Sequence, residues 1–96
     1  MGELSEEKLQ FAGKHILYHF TSCPFCYSVR RVINSLELPI QMRNIHQVSE
    51  YLDELIAGGG KRSVPCLRIE NADGSLQWMY ESADINRYLH NTFADS

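Results

Sequence analysis

Long apolar runs are missing from this 96-residue chain. None approaches the ~20 residues that a helix needs to cross a bilayer, so no membrane span is expected. Excess basic charge is missing as well. Nine Lys and Arg stand against twelve Asp and Glu, for a net charge of −3, and without a basic face broad nucleic-acid binding is not expected. The opening residues, Met1-Gly2-Glu3-Leu4-Ser5-Glu6-Glu7, are acidic and lack the apolar core of a signal peptide, which points to a cytoplasmic protein. Cysteine is scarce: Cys23, Cys26 and Cys66 are too few for a disulfide framework and suit a reducing compartment. No internal repeat, low-complexity tract or linker interrupts the chain. With 44% hydrophobic and 22% charged residues, it reads as one small soluble domain with a single core.

Against this plain background Cys23-Pro24-Phe25-Cys26 stands out. It follows His15-Ile16-Leu17-Tyr18-His19-Phe20, which reads as a buried strand. It precedes Ser28 to Leu36, where Val29, Val32, Ile33 and Leu36 recur at helical spacing. A thiol at a strand–helix join meets the unpaired N–H groups of the first helical turn, and these together with the helix dipole favour an anion. Cys23 should therefore ionise more readily than free cysteine. Pro24 suits the first helical position, whose N–H would be unpaired anyway. Two cysteines with two residues between them can close a small disulfide ring, so the motif reads as a redox centre. A zinc half-site is the competing reading. With no second C-x-x-C and four scattered histidines, no metal is expected.

The remaining chain punctuates itself clearly. Residues 14–20 read as the first strand and 24–36 as the first main helix, with Leu38-Pro39 as its stop. A second strand runs from Ile40 through Met42 to about Ile45. Val48, Tyr51, Leu52, Leu55 and Ile56 share one face of a helix over 48–57 that Gly58-Gly59-Gly60 ends. Cys66 to Ile69 form a third strand, Asn71-Ala72-Asp73-Gly74 a turn, and Leu76, Trp78 and Tyr80 alternate on a fourth. A last helix starts near Ser82, its expected N-cap, with Ile85, Tyr88 and Leu89 inward. Residues 1–13 form an N-terminal extension with a short helix over 3–12, and 14–96 the domain proper. The order β-α-β-α-β-β-α gives an α/β fold with a four-stranded mixed sheet flanked by helices.

With its motifs in place, the chain resembles a dithiol glutaredoxin of the thioredoxin fold over roughly residues 14–91. Three segments carry the likeness: Cys23-Pro24-Phe25-Cys26; Ser63-Val64-Pro65, similar to that family's Thr-Val-Pro; and Tyr80-Glu81-Ser82-Ala83-Asp84-Ile85. The third is closer to the Glu-Ser motif of glutathione transferase N-terminal domains than to the usual Gly-Gly ending of glutaredoxins.

The resemblance implies a glutathione-dependent thiol–disulfide oxidoreductase, with Cys23 as nucleophile and Cys26 as resolving thiol. Full ionisation of a thiol gains roughly 30-fold in reactive form at neutral pH. A pKa lowered by ~3 units gives most of that back in lost nucleophilicity, so the larger benefit lies in Cys23 as a leaving group. Glutathione is the implied reductant. Pro65 would be cis and face Cys23, leaving the Val64 N–H and C=O for an extended peptide. Ser82 would receive the γ-glutamyl carboxylate at a helix N-terminus, and Glu81 the γ-glutamyl ammonium. Arg62 would take the glycine carboxylate, with Lys61 as an adjacent substitute. Partners would be glutathione and glutathionylated or disulfide-bearing proteins, and the protein a monomer.

The chain departs from the glutaredoxin pattern at Phe20, where many members carry lysine, and near Trp78-Met79, where the Gly-Gly pair is replaced. His19 is expected on the opposite face from Phe20 as a structural residue. Phe25 is expected exposed, Cys66 buried, and Trp78, Tyr80 and Tyr88 in the core. Three other functions compete. One is a transferase-like glutathione-binding module, for which the chain's end at Ser96 leaves no helical second domain. Another is an iron–sulfur carrier, which Pro24 disfavours. The third is a thioredoxin-like donor served by a flavoprotein reductase.

Overall fold

A computed structural model describes residues 5–94. Its elements are α1 (Glu6–Ala12), β1 (His15–His19), α2 (Pro24–Ser35), β2 (Gln41–Asn44), α3 (Ser49–Gly59), β3 (Cys66–Glu70), β4 (Leu76–Tyr80) and α4 (Ser82–Phe93). Glu3 and Leu4, the start of the expected first helix, lie outside the described residues. The four strands form one sheet in the order β2-β1-β3-β4. β1 pairs parallel with β2, and antiparallel pairing joins β1 to β3 and β3 to β4. This is the expected thioredoxin-like α/β architecture.

β1 is central and covered on both faces, so all five of its residues are buried. That is why its middle, Ile16-Leu17-Tyr18, reads as a continuous run instead of an alternation. Leu17, Leu67 and Ile69 point to one face, against Ala12 of α1, Val29 and Ile33 of α2, and Ile85, Leu89 and Phe93 of α4. Ile16, Tyr18 and Cys66 point to the other, against Leu55 of α3. β4 is an edge strand. Trp78 and Tyr80, expected in the core, are only half-buried because no strand among the described residues pairs beyond β4, and Tyr88 is half-buried at the margin of α4.

Two helix ends differ from expectation. α2 stops at Ser35, before Leu38-Pro39, because Glu37 turns left-handed with φ 55°. The Glu37 N–H donates to the Asn34 carbonyl at 3.1 Å and the Leu38 N–H to the Ile33 carbonyl at 3.0 Å. These bonds are a Schellman cap with glutamate where glycine is usual, sealed by Ile33 and Leu38 in one cluster. α3 continues through Gly58 and Gly59 and ends only at Gly60, left-handed with φ 84°. A Cβ on Gly58 would overlap the Trp78 ring and one on Gly59 the Tyr80 hydroxyl. The first two glycines thus let α3 lie against β4, and the third ends the helix.

Candidate functional site

The chain leaves β1 at His19 and enters α2 at Pro24, with Cys23 as N-cap. The Cys23 N–H donates to the Phe20 carbonyl at 3.3 Å, and its Sγ accepts the Cys26 N–H at 3.4 Å. The sulfur thus takes the place of a capping oxygen, facing the open N–H groups of the first turn. Cys23 and Cys26 are both buried and unpaired by any disulfide. Burial first, then the hydrogen bond to Cys23, pushes the Cys26 thiol up to about 12. Phe25, between them, is 64% exposed.

Arg30 reaches back from α2 to hold the loop before the motif. Its guanidinium donates to Nδ1 of His19 at 3.2 Å, to the Phe20 carbonyl at 3.4 Å and to the Thr21 carbonyl at 3.3 Å. His19 is buried, as a structural residue should be. Phe20 turns the other way and stacks on His46, ring centroids 4.3 Å apart at 14°.

The Val64–Pro65 bond is cis, and Pro65 is buried at the entry to β3. Cys66 follows with no exposure, its thiol pushed up to about 11 chiefly by burial. At the end of β4, Glu81 adopts φ 78° and ψ 114°, a conformation that costs a non-glycine residue of order 1–3 kcal/mol. Its carbonyl accepts the Ile85 N–H at 3.0 Å. Glu81 is therefore the N-cap of α4, and Ser82, expected in that role, is the first helical residue. The helix starts one residue early because the turn at Glu81 aims that carbonyl along its axis. The N–H groups at Ser82 and Ala83 belong to the set that has no partner inside a helix.

A cavity of about 280 Å3 opens between these segments. Ser63, Val64 and Pro65 form one side, Glu81, Ser82 and Ala83 another, and Phe25, Lys61 and Tyr80 complete the wall. Four of the expected site residues, Val64, Pro65, Glu81 and Ser82, thus meet in one place. Cys23 and Cys26 do not line the cavity; the motif reaches it through Phe25. Arg62 is exposed and outside the lining, and its neighbour Lys61 supplies the cation there. Among the described residues no cluster of His, Cys, Asp or Glu could hold a metal ion, and no helix is long and apolar enough to cross a membrane.

Residues 17–96 match the family model for the glutathione S-transferase N-terminal domain. The chain belongs to this family. Among solved structures, glutathione transferase E6 from Drosophila melanogaster is 26% identical, with a TM-score of 0.67 over 86% of this chain and 36% of that one. A trimeric glutathione transferase from Leishmania is 29% identical, with a TM-score of 0.67 over 83% of this chain and 18% of that one. A glutathione transferase homologue from Drosophila mojavensis, solved with bound glutathione, is 21% identical at a TM-score of 0.70, covering 86% and 36%; that likeness concerns the fold alone. The chain spans about a third or less of the length of these transferases. No curated protein sequence matches it.

The matched span includes the Glu81-Ser82 pair, the segment whose resemblance pointed toward this family. Tyr80 lines the cavity although its alternation with Trp78 resembles that of a core position. Its place immediately before Glu81, at the strand end, was the signal.

Proposed function

We propose that this domain binds glutathione in the cavity between Val64-Pro65 and the start of α4 and uses Cys23 for thiol–disulfide exchange with glutathione mixed disulfides. The observation that carries this reading is one cavity bounded both by Phe25 of the Cys-x-x-Cys segment and by the N-terminus of α4. Glutathione has two carboxylates and an amine. Ser82 and Ala83 offer backbone N–H groups and a positive dipole end for the γ-glutamyl carboxylate, Glu81 an acceptor for the ammonium, and Lys61 a cation for the glycine end. Val64 can pair with the peptide backbone in the manner of an added strand. The strained conformation of Glu81 is of the kind retained at ligand sites.

In the exchange, the Cys23 sulfur attacks the glutathione sulfur of a protein–glutathione disulfide. A Cys23–glutathione disulfide forms and the protein thiolate leaves to take up a proton. A second glutathione thiolate attacks the bound glutathione sulfur, releasing glutathione disulfide and Cys23. For small disulfides Cys26 can instead attack Cys23, closing the ring that two glutathiones reopen. Once Cys23 is in a mixed disulfide its own contribution to the high Cys26 pKa is gone, but the larger one, burial, remains. Burial thus works against attack by Cys26, while the route through Cys23 alone does not call on it.

The test is a coupled assay with glutathione, glutathione reductase and a glutathionylated substrate. Cys23→Ser should abolish turnover and Cys26→Ser should keep deglutathionylation. Activity surviving in Cys23→Ser rejects the nucleophile. The family match favours a second reading, presentation of the glutathione thiol to an electrophile as in a transferase. Conjugation of a chromogenic electrophile that persists in Cys23→Ser would select it.

A further inference from the structure

We propose that Tyr80, seated over Gly59, is a positioning residue that holds Lys61 in the cavity wall and so sets how tightly the cavity grips a ligand carboxylate. This rests on the reading of the cavity as a glutathione site.

Lys61 stands just past the end of α3, beyond left-handed Gly60. A lysine there would ordinarily be a mobile solvated charge, and ordering it on ligand binding would cost side-chain entropy. Tyr80 touches this residue twice. Its hydroxyl donates to the Lys61 carbonyl at 3.3 Å, and its ring lies under the ammonium, with Nζ 5.2 Å from the centroid. The first contact fixes the backbone and the second directs the side chain across the aromatic face. Arg62, one residue on, has no such seat and lies outside the cavity. The choice between two adjacent cations is thus made by a tyrosine on a different element.

Gly59 is the other half of the arrangement. A Cβ at that position would overlap the Tyr80 hydroxyl, while the ring carbon bearing it would stand at 3.2 Å and a Trp78 ring carbon at 3.3 Å. The glycine therefore leaves room specifically for the phenolic oxygen. Glu81 is the acidic side chain in the same lining, so the wall offers one charge of each sign to a zwitterionic ligand. Preorganisation of this kind appears as affinity without any new contact to the ligand.

The experiment is calorimetric titration with S-methylglutathione, which has no free thiol and cannot exchange with Cys23. Tyr80→Phe keeps the ring and removes the tether, and should weaken binding about threefold to tenfold. Lys61→Met should weaken binding and reduce its dependence on added salt. In the Lys61→Met background, Tyr80→Phe should then add less than about twofold, since what it positions is gone. Gly59→Ala should weaken binding in the wild-type background and less so beside Tyr80→Phe. Equal losses from Tyr80→Phe with and without Lys61 would overturn the proposal, as would unchanged affinity in Tyr80→Phe when Lys61→Met binds weakly. If the unaltered protein fails to bind S-methylglutathione, the glutathione reading itself fails and the proposal with it. Trp78 fluorescence and urea midpoints show whether each variant is folded, and the Lys61 and Tyr80 variants decide the matter if Gly59→Ala is not.

Discussion

His15 Nε2 and the Tyr88 hydroxyl meet 2.7 Å apart, joining β1 to α4, while His15 Nδ1 lies 2.9 Å from the Phe11 carbonyl of α1. The carbonyl can only accept, so Nδ1 carries the proton and Nε2 accepts from Tyr88. One buried neutral imidazole thereby ties three elements together, with the Phe11 and Phe93 rings edge-on against it at 4.8 Å and 5.5 Å.

Burial holds the folded His15 pKa below its ordinary 6.5. As pH falls, the unfolded chain takes up this proton first and so is stabilised relative to the folded one. The contribution of His15 is complete above about pH 6.5 and declines below it, until the folded ring also titrates. His19, lowered by burial and then by Arg30, acts in the same direction. Urea midpoints should drop between pH 7.5 and 5.5, and His15→Gln should show a shallower drop from a lower starting value. An equally steep drop in that variant would remove His15 from the account.

The three thiols should differ in reactivity. Cys26 and Cys66 are without exposure and pushed up to about 12 and about 11, so at pH 7 almost none of either is thiolate. Cys23 is the one that retains any contact with solvent, at 6%. Brief iodoacetamide treatment of the folded, reduced protein should modify Cys23 first, as peptide mass spectrometry would read. Labelling of Cys66 before Cys23 would contradict the burial order.

Glu37 occupies a left-handed position where glycine carries no Cβ penalty. Relief of that penalty, less the greater chain entropy of glycine when unfolded, should leave Glu37→Gly about 0.5–1 kcal/mol more stable. Glu37→Val should be less stable than the parent. Urea denaturation measures both, and a loss of stability in Glu37→Gly would mean that the Glu37 side chain does more at the end of α2 than its exposed position indicates.

Gly58 faces the single tryptophan, so packing there can be read optically. Gly58→Ala must move either α3 or the Trp78 ring, at a cost of about 1–3 kcal/mol for overpacking. Trp78 emission should shift to longer wavelength as the ring is displaced from the edge of the sheet. Unchanged emission and stability would show that α3 and β4 do not lie as close as described.

Much of this architecture was legible because it depends on neighbours in sequence. The spacing of Val29 and Ile33, the five-residue buried run of β1 and the Asn71–Gly74 turn each reflect backbone sterics acting over a few residues, and each appears where expected. So does the Cys23 sulfur at the start of α2, since a helix N-terminus is set by local chain geometry. Capping details were less legible. Leu38-Pro39 looked like the stop for α2, yet the hydrogen bonds at Glu37 end it first. Ser82 looked like a cap, yet the turn at Glu81 supplies one a residue earlier.

The sequence by itself determined the kind of fold, the thiol pair at a strand–helix join, and the Glu81-Ser82 segment that resembles the family's motif. Tertiary structure alone decided that Lys61 and not Arg62 borders the cavity, that Tyr80 is a wall residue, and that His15 is a buried link. The reason is distance along the chain. Lys61 meets Tyr80, Pro65 shares a cavity with Glu81 and His15 meets Tyr88 only because the sheet and the helices packed on it bring them together. No local preference encodes which side of a loop will then face the gap.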